Sequence, residues 1–359
     1  MRVLQYTHRW LELSAGFVYA HVTTSRHPNI VVVRDHFENR DAYPLRRVIN
    51  LASIRDRSRL NLSNATMLRA IGTATRAQLC HVHFAYAAPD ALRLTRQRRI
   101  PFVLSLHGHD ASAWPREHPE DFGPLAGGVS AVIVPSLFLA DQAKQLGFPE
   151  DRIHVIPSGI DTEWFTPDPD TTADTAEVLF VGRLVEKKGL DVLLRAWTRV
   201  AAAVPDAGLR IIGSGPLLPL VTSPDLDRVV YEPPDPRRRS AQVRDAIRAA
   251  AVVVTPSRTA ADGDTESLLL VNLEAQACGR PVVTTRLGGI PEFVRDGETA
   301  LVVPEADPGE LTDALITLLR DRDLASRLGH AGVAWAQSFD VRRCTAEVDD
   351  LYDRLLRRQ

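Results

Sequence analysis

Cysteine is scarce: Cys80, Cys278 and Cys344 are the only three in 359 residues, odd in number and scattered. They supply neither a disulfide framework nor a metal-ligand spacing, so no metal site is expected and a reducing cytoplasm is the expected setting. Long apolar runs are missing as well. No stretch approaches the ~20 apolar residues of a membrane-spanning helix, and the opening MRVLQYTHRW has no apolar core like that of a signal peptide. The chain is therefore expected to be soluble or peripheral. A charge excess is also lacking. The net charge of -2 gives no global bias towards nucleic acid. Residues 1–165 carry 19 Lys/Arg against 15 Asp/Glu, and the remainder 24 against 30. A mildly basic first half suits either a solvated Arg-rich surface or contact with an anionic acceptor or the inner face of a membrane. Repeats and low-complexity tracts are absent.

What is present is a rhythm of short, β-branched apolar runs, each followed by a helix-like stretch. The first half has MRVLQYT, NIVVVRD, LCHVHF, FVLSLHG, SAVIVPS and IHVIPSG; the second has EVLFVGR, LRIIGSG, VVYEP, AAVVVTPS, RPVVTT and TALVVP. Runs without strict alternation are buried on both faces, as in parallel sheets. Strand-then-helix repetition predicts doubly wound α/β units. The polar, proline-bearing stretch 166–176 reads as a linker. The expected organisation is a Rossmann-like domain over 1–165, a second over 177–340, and a terminal helix over 341–359. That helix is marked by the spacing of Val341, Cys344, Val348, Leu351, Tyr352 and Leu355. In open parallel sheets ligands bind beyond the carboxyl ends of the strands, so the residues just after each apolar run are the candidates.

In TESLLLVNLEAQACGRPVV, Glu266 and Glu274 bracket an almost wholly apolar run. A buried carboxylate is costly unless paired or hydrogen-bonded. If both were helical they would lie about 12 Å apart and could meet two ends of a long polar ligand. Equally, they fit a helix with an N-terminal charge and a carboxylate bonding a backbone amide. In VGRLVEKKGLD, Arg183, Lys187 and Lys188 precede Gly189 and an amphipathic helix. Cations there oppose the helix dipole, and a diphosphate would account for them; solvated residues on a turn are the plain alternative. IIGSGPL supplies Gly213 and Gly215, half of a dinucleotide fingerprint, which reads more readily as a tight turn. The pair opening GGIPEF serves either an anion or a tight loop. SLHGHD places His107, His109 and Asp110 after a first-half strand, where they could be metal ligands; no other His, Cys or Asp cluster completes a coordination set, so a hydrogen-bonding pair facing the ligand edge is expected. His83 ends the strand before it and reads as a satisfied core histidine. The triplets Asp168-Pro169-Asp170 and Asp321-Arg322-Asp323 follow no strand and are read as chance.

Taken in order, VGRLVEKKGLD, IIGSGPL, TPS, GDTES…LEAQACGRPVV and GGIPEFVRDGETALVVP resemble the family 4 glycosyltransferases, the large retaining group with the GT-B fold. In the first half VHF, SLHGHD and VIVPSLFLADQAKQLGFPEDRIHVIPSGIDTEWF are similar too. The wording looks closest to enzymes that build exopolysaccharide. The resemblance implies two Rossmann-like domains facing a central cleft, with the terminal helix crossing back to the first. It implies that Glu266 contacts the transferring sugar's hydroxyls and Glu274 the ribose hydroxyls. Arg183 and Lys188 match the pair that binds the donor diphosphate, and His107 matches a residue lining the donor sugar. Gly182, Gly213, Gly215 and the loop Ser267-Leu268-Leu269-Leu270 then fall on the nucleotide-sugar side, with Gly16, His83, His109 and Asp110 on the acceptor side.

Two departures stand out. The amino-terminal loop, glycine-rich in many relatives, is LELSAGFVYA here, with Gly16 alone. The loop after Glu266 carries leucines where the family often has glycine, and Leu269 is expected to crowd the diphosphate. The activity implied is retaining, metal-independent transfer from a UDP- or GDP-sugar to a glycan, lipid-linked or small-molecule acceptor, with no cofactor. The protein would be cytoplasmic, with peripheral membrane association left open. Three rivals stand: a nucleotide-sugar epimerase, which needs acid/base groups across the sugar; a non-catalytic partner subunit of a glycan assembly complex; and a nicotinamide-dependent dehydrogenase, the weakest, because its glycine fingerprint is incomplete.

Overall fold

The computed structural model describes residues 1–11, 15–37, 39–58, 62–169, 176–223, 226–237 and 239–357. Residues 170–175 of the expected linker, and Asp170 with them, lie outside that set, as do residues 12–14 of the amino-terminal loop. The chain divides into two compact units, Met1–Gly159 with Val341–Gln359, and Ile160–Asp340. The division falls ahead of the expected linker because Ile160 and Phe165 are buried in the apolar core of the second unit.

Among the described residues, the first unit holds strands β1 (Val3–Trp10), β2 (Asn29–Phe37), β3 (Val48–Asn50), β4 (Leu79–His83), β5 (Phe102–Ser105), β6 (Ala131–Val134) and β7 (Ile153–Val155). The second holds β8 (Glu177–Val181), β9 (Gly208–Ile212), β10 (Val229–Glu232), β11 (Val252–Thr255), β12 (Val282–Thr285) and β13 (Ala300–Val303). They form two all-parallel sheets, ordered β3-β2-β1-β4-β5-β6-β7 and β10-β9-β8-β11-β12-β13. β4, β5, β6, β11 and β12 are buried at every position, as two-sided coverage requires. Twelve of these thirteen strands are the twelve apolar runs; β3, VIN, has two apolar residues directly after Arg46 and Arg47 and does not stand out in the sequence.

The helices of the first unit are α1 (Gly16–Thr24), α2 (Leu51–Ser58), α3 (Asn64–Ala74), α4 (Ala88–Arg98), α5 (Trp114–Glu117), α6 (Pro119–Gly128) and α7 (Leu137–Gln145). Those of the second are α8 (Leu190–Ala203), α9 (Leu218–Val221), α10 (Arg239–Ala249), α11 (Leu270–Ala277), α12 (Pro308–Arg320) and α13 (Arg322–Ala336). The terminal helix α14 (Val341–Arg357) returns to the first unit. Its apolar stripe, Val348, Leu351 and Tyr352, packs against Val3, Leu79, Val103 and Ile133. Asp349 of α14 accepts hydrogen bonds from Ser25 Oγ at 2.7 Å and Arg26 N at 2.9 Å, and the Arg26 guanidinium pairs with Asp350 and Asp353.

Each sheet reverses its strand order once, at β1/β4 in the first unit and at β8/β11 in the second. Loops diverge there, and the gap between them at the carboxyl ends is where open α/β sheets hold ligands.

Candidate functional site

In the second unit the loops leaving β8 and β11 meet at the reversal. The loop after β8 carries Gly182 and Arg183, then a 3-10 turn, Glu186–Lys188, closed by Gly189 at φ 66°. A Cβ on Gly189 would lie 1.8 Å from the Pro256 carbonyl oxygen, so only glycine lets the two loops touch. Gly213 and Gly215 serve the same end. A Cβ at Gly213 would meet Gly182 O at 2.1 Å, and one at Gly215 would meet Leu184 O at 2.5 Å. The β9 loop thereby docks on the Arg183 segment, with Leu184 N donating to Ser214 O at 2.8 Å. The half fingerprint is thus a packing turn.

Glu266 is buried, and its Oε1 accepts hydrogen bonds from Lys188 Nζ at 2.6 Å and from Ser257 Oγ at 3.3 Å. Burial alone would raise the Glu266 carboxyl, but Lys188, Lys187 and Arg183 outweigh it and hold it below the ordinary value. Burial, with repulsion from Lys187 and Arg183, lowers the Lys188 ammonium despite Glu266. The pair is therefore a carboxylate facing a lysine that gives up its proton more readily than usual. Arg183 is exposed and makes no ion pair among the described residues. The Glu266 main chain is fixed as well: Gly289 N donates to its carbonyl at 2.9 Å, and a Cβ on Gly288 (φ 52°) would sit 2.1 Å from that oxygen.

Two expectations are revised here. Lys187 is buried and paired with Asp264, so it is withdrawn from the cationic cluster. Glu266 lies in the extended loop between β11 and α11, and Glu274 is half-buried within α11. Leu269 is the N-cap of α11, 5% exposed and packed in the core with Leu273 and Val253, with Leu268 and Leu270 against the same cluster. Because Leu269 points inward, it does not crowd the ligand edge. Ser267 is buried beside it.

In the first unit Gly16 opens α1 just beyond β1. His107 follows β5, its ring 4.7 Å from Phe17 and 4.5 Å from Phe84, and stacked on His83 at 5.8 Å. Burial lowers its pKa to about 3, so the ring is neutral. Asp110 does not face outward. Buried, it accepts from His107 N at 2.8 Å, Gly108 N at 3.0 Å and Ala85 N at 3.0 Å, and so shapes the loop that presents His107. His109 is exposed, with Nδ1 2.8 Å from Tyr86 OH. His83 is a buried core histidine as expected, but only its Nε2 is satisfied, by Gln5 Oε1 at 3.0 Å; its Nδ1 is buried without a hydrogen-bond partner among the described residues. Nothing in the spacing of the histidines marks the network around it. Tyr352 OH of α14 sits 2.5 Å from His81 Nδ1 and 3.0 Å from His21 Nε2, and His81 Nε2 lies 2.7 Å from Ser105 Oγ.

Two family models match the chain, Glycosyltransferase Family 4 over residues 20–164 and Glycosyl transferases group 1 over residues 175–321. The GDP-mannose-dependent alpha-(1-6)-phosphatidylinositol monomannoside mannosyltransferase of Mycolicibacterium smegmatis is 36% identical over 278 residues, 71% of each chain. The chain belongs to the GT-B glycosyltransferases related to family 4. A D-inositol 3-phosphate glycosyltransferase of Catenulispora acidiphila is 31% identical over 323 residues, 77% of this glycosyltransferase and 72% of that chain. Among solved structures, Anabaena Alr3699/HepE in complex with UDP and glucose superposes with a TM-score of 0.81 over 98% of this chain and 99% of that one; at 20% identity this likeness concerns the fold. The names of the sequence relatives are those of inositol-phosphate and mannoside transferases, and do not single out exopolysaccharide builders.

Within the glycosyltransferase, no group of three His, Cys, Asp or Glu side chains is placed to hold a metal ion among the described residues. No helix of those residues is long and apolar enough to cross a membrane. Asp321 caps α13 by accepting from Leu324 N at 2.8 Å, which accounts for one triplet. The residues missed in the sequence are Ser257 and Asp264. Both sit inside the motifs TPS and GDTES, two to nine positions before Glu266, and neither spacing has a period that marks it.

Proposed function

We propose that this glycosyltransferase moves a sugar, with retention, from a UDP- or GDP-sugar to a hydroxyl acceptor without a metal. The observation that carries the reading is the buried Glu266–Lys188 pair beside exposed Arg183, at the strand-order reversal of the second sheet. Arg183 and Lys188 bind the diphosphate and stabilise the charge that grows on it as the sugar–phosphate bond breaks. Glu266 accepts from the sugar's hydroxyls and orients it, and Glu274 holds the ribose. Retention usually means a carboxylate nucleophile. Here the acceptor oxygen attacks the anomeric carbon from the face the diphosphate leaves, and the departing phosphate oxygen takes the acceptor's proton. His107, neutral, donates to or accepts from the donor sugar as a hydrogen-bonding group. Gly16, His83, His109 and Asp110 shape the acceptor side.

The mannosyltransferase's name favours GDP-mannose as donor, and the two relatives' names favour an inositol phosphate or a phosphatidylinositol mannoside as acceptor. The exposed Arg69 on α3, Arg93, Arg96 and Arg98 on α4 and Arg99 at its C-cap suit an anionic acceptor surface, with the protein working in the cytoplasm at the inner face of the membrane.

The test is binding of UDP and GDP by thermal shift, followed by transfer from UDP-glucose or GDP-mannose to myo-inositol phosphate or phosphatidylinositol. A ligand at a hundred times its dissociation constant stabilises by about 2.7 kcal/mol. The expected result is stabilisation by one nucleotide, lost in Arg183→Ala, and transfer abolished in Glu266→Ala. A folded protein that binds neither nucleotide would refute the reading in favour of a non-catalytic subunit. Donor conversion without any acceptor would favour an epimerase.

A further inference from the structure

Three cations stand close together in VGRLVEKKGLD, and the structure gives one of them a different task. Lys187 and Lys188 are neighbours in one 3-10 turn, yet they reach different carboxylates two residues apart. Lys188 Nζ meets Glu266 at 2.6 Å, and Lys187 Nζ meets Asp264 Oδ2 at 2.9 Å. Lys187 also donates to the Thr265 carbonyl at 3.3 Å, and its own carbonyl accepts from Arg258 N at 2.9 Å. Lys187 and Asp264 are each 7% exposed. A buried ammonium already bonded to a carboxylate and a carbonyl has no place for a diphosphate.

We propose that the Lys187–Asp264 pair is a positioning device that fixes the carboxylate of Glu266 against Lys188. The inference rests on the reading of Glu266 and Lys188 as donor-binding residues. The loop from Pro256 to Leu269 has no helix or strand of its own to hold it. It is held by the pair on one side of Glu266 and by Gly289 N on the other. Arg258, in the same loop, anchors it further through Glu186 at 3.1 Å and Asp191 at 3.3 Å. Every one of these ties runs to the turn and helix that carry Lys188, except that of Gly289. The distance between the two reacting-site side chains is therefore set by a neighbouring ion pair that touches no substrate. A misplacement of about 1 Å in such a group costs about 10²-fold in rate.

The experiment compares Lys187→Met, Asp264→Asn, the double variant, Lys187→Arg and Glu266→Gln in the full chain. It reads kcat and KM for transfer, together with the affinities for UDP, GDP, UDP-glucose and GDP-mannose. Lys187→Met is expected to lower kcat about 10- to 100-fold. The affinity for the free nucleotide should stay, because Arg183 and Lys188 remain, while the added affinity given by the sugar is lost. Lys187→Arg should restore most of the rate. In the Glu266→Gln background the further loss from Lys187→Met should vanish, an outcome a general weakening of the fold does not produce. If Lys187→Met does not fold, the double variant, which removes both buried charges at nearly constant volume, gives the same reading. Wild-type kcat in a folded Lys187→Met or double variant, with Glu266→Gln slowed to a low but measurable rate, overturns the positioning role alone. Equal fold-losses from Lys187→Met with and without Glu266 also overturn it. Full activity of Glu266→Gln overturns both the donor-site reading and the pair's role.

Discussion

Lowering the pH from 7.5 to 5.0 should destabilise the first unit by about 4 kcal/mol or more, well before its carboxylates titrate. His21, His81 and His83 are buried and half-buried His107 stacks beside them, with centroids 4.2 Å apart for His81–His83, 5.6 Å for His21–His81 and 5.8 Å for His83–His107. Burial lowers the pKa of His21 to about 4 and of His107 to about 3; it drives His81 and His83 well below the usual value, helped by the neighbouring histidines. Each folded pKa lies beneath the unfolded one of about 6.5. The unfolded chain therefore takes up protons that the folded chain refuses. The stability is complete above about pH 6.5 and drains as the pH falls towards about 4.

At pH 5.0 each such histidine costs about 2 kcal/mol, so His21 and His107 together cost about 4 kcal/mol, and His81 and His83 act in the same direction. Domains of this size have about 5–15 kcal/mol in all. The opposing groups are the carboxyls of Asp110 and Asp90, raised mainly by burial, which bind protons in the folded state and offset part of the loss at lower pH. Urea unfolding of the full chain at pH 7.5, 6.5, 5.5 and 5.0, with the first unit followed by pulse proteolysis, measures the slope. His21→Gln should flatten it by about 1.4 kcal/mol per pH unit, the value of one proton. A urea midpoint for the first unit that does not move between pH 7.5 and 5.0 would refute the reasoning, because it would mean that these rings stay protonatable in the fold.

Two further outcomes test the second unit. Gly288→Ala places a Cβ against the Glu266 carbonyl at a φ of 52°, so transfer should fall at least tenfold while the melting temperature moves by only a few degrees; unchanged kcat would show that the contact is slack. Leu269→Ala should cost about 2–5 kcal/mol, as for other buried leucines, with no gain in nucleotide affinity, and tighter nucleotide binding would revive the idea that this side chain crowds the ligand.

The sequence by itself determined the layers. Runs such as AAVVVTPS and FVLSLHG have no polar face, so they can only be interior parallel strands, and their alternation with helices sets a doubly wound sheet. The spacing of Val348, Leu351 and Tyr352 fixed the apolar stripe of α14, because a 3.6-residue period is a property of the chain alone. Glu266, Arg183, Lys188 and His107 were legible because each follows a strand, where the sheet has no side to cover it. What the tertiary structure decided was direction and partnership. Lys187 and Lys188 are the same residue type in one turn, and only the β11 loop, folded over them, sends one into the interior and leaves the other at the site. Leu269 reads as a loop residue until α11 begins one position later and turns it inward. The histidines of β1's neighbour strand and α1 become a network only when α14, more than two hundred residues away, brings Tyr352 between them. Periodicity is local, whereas a hydrogen bond between distant segments depends on the sheet that gathers them.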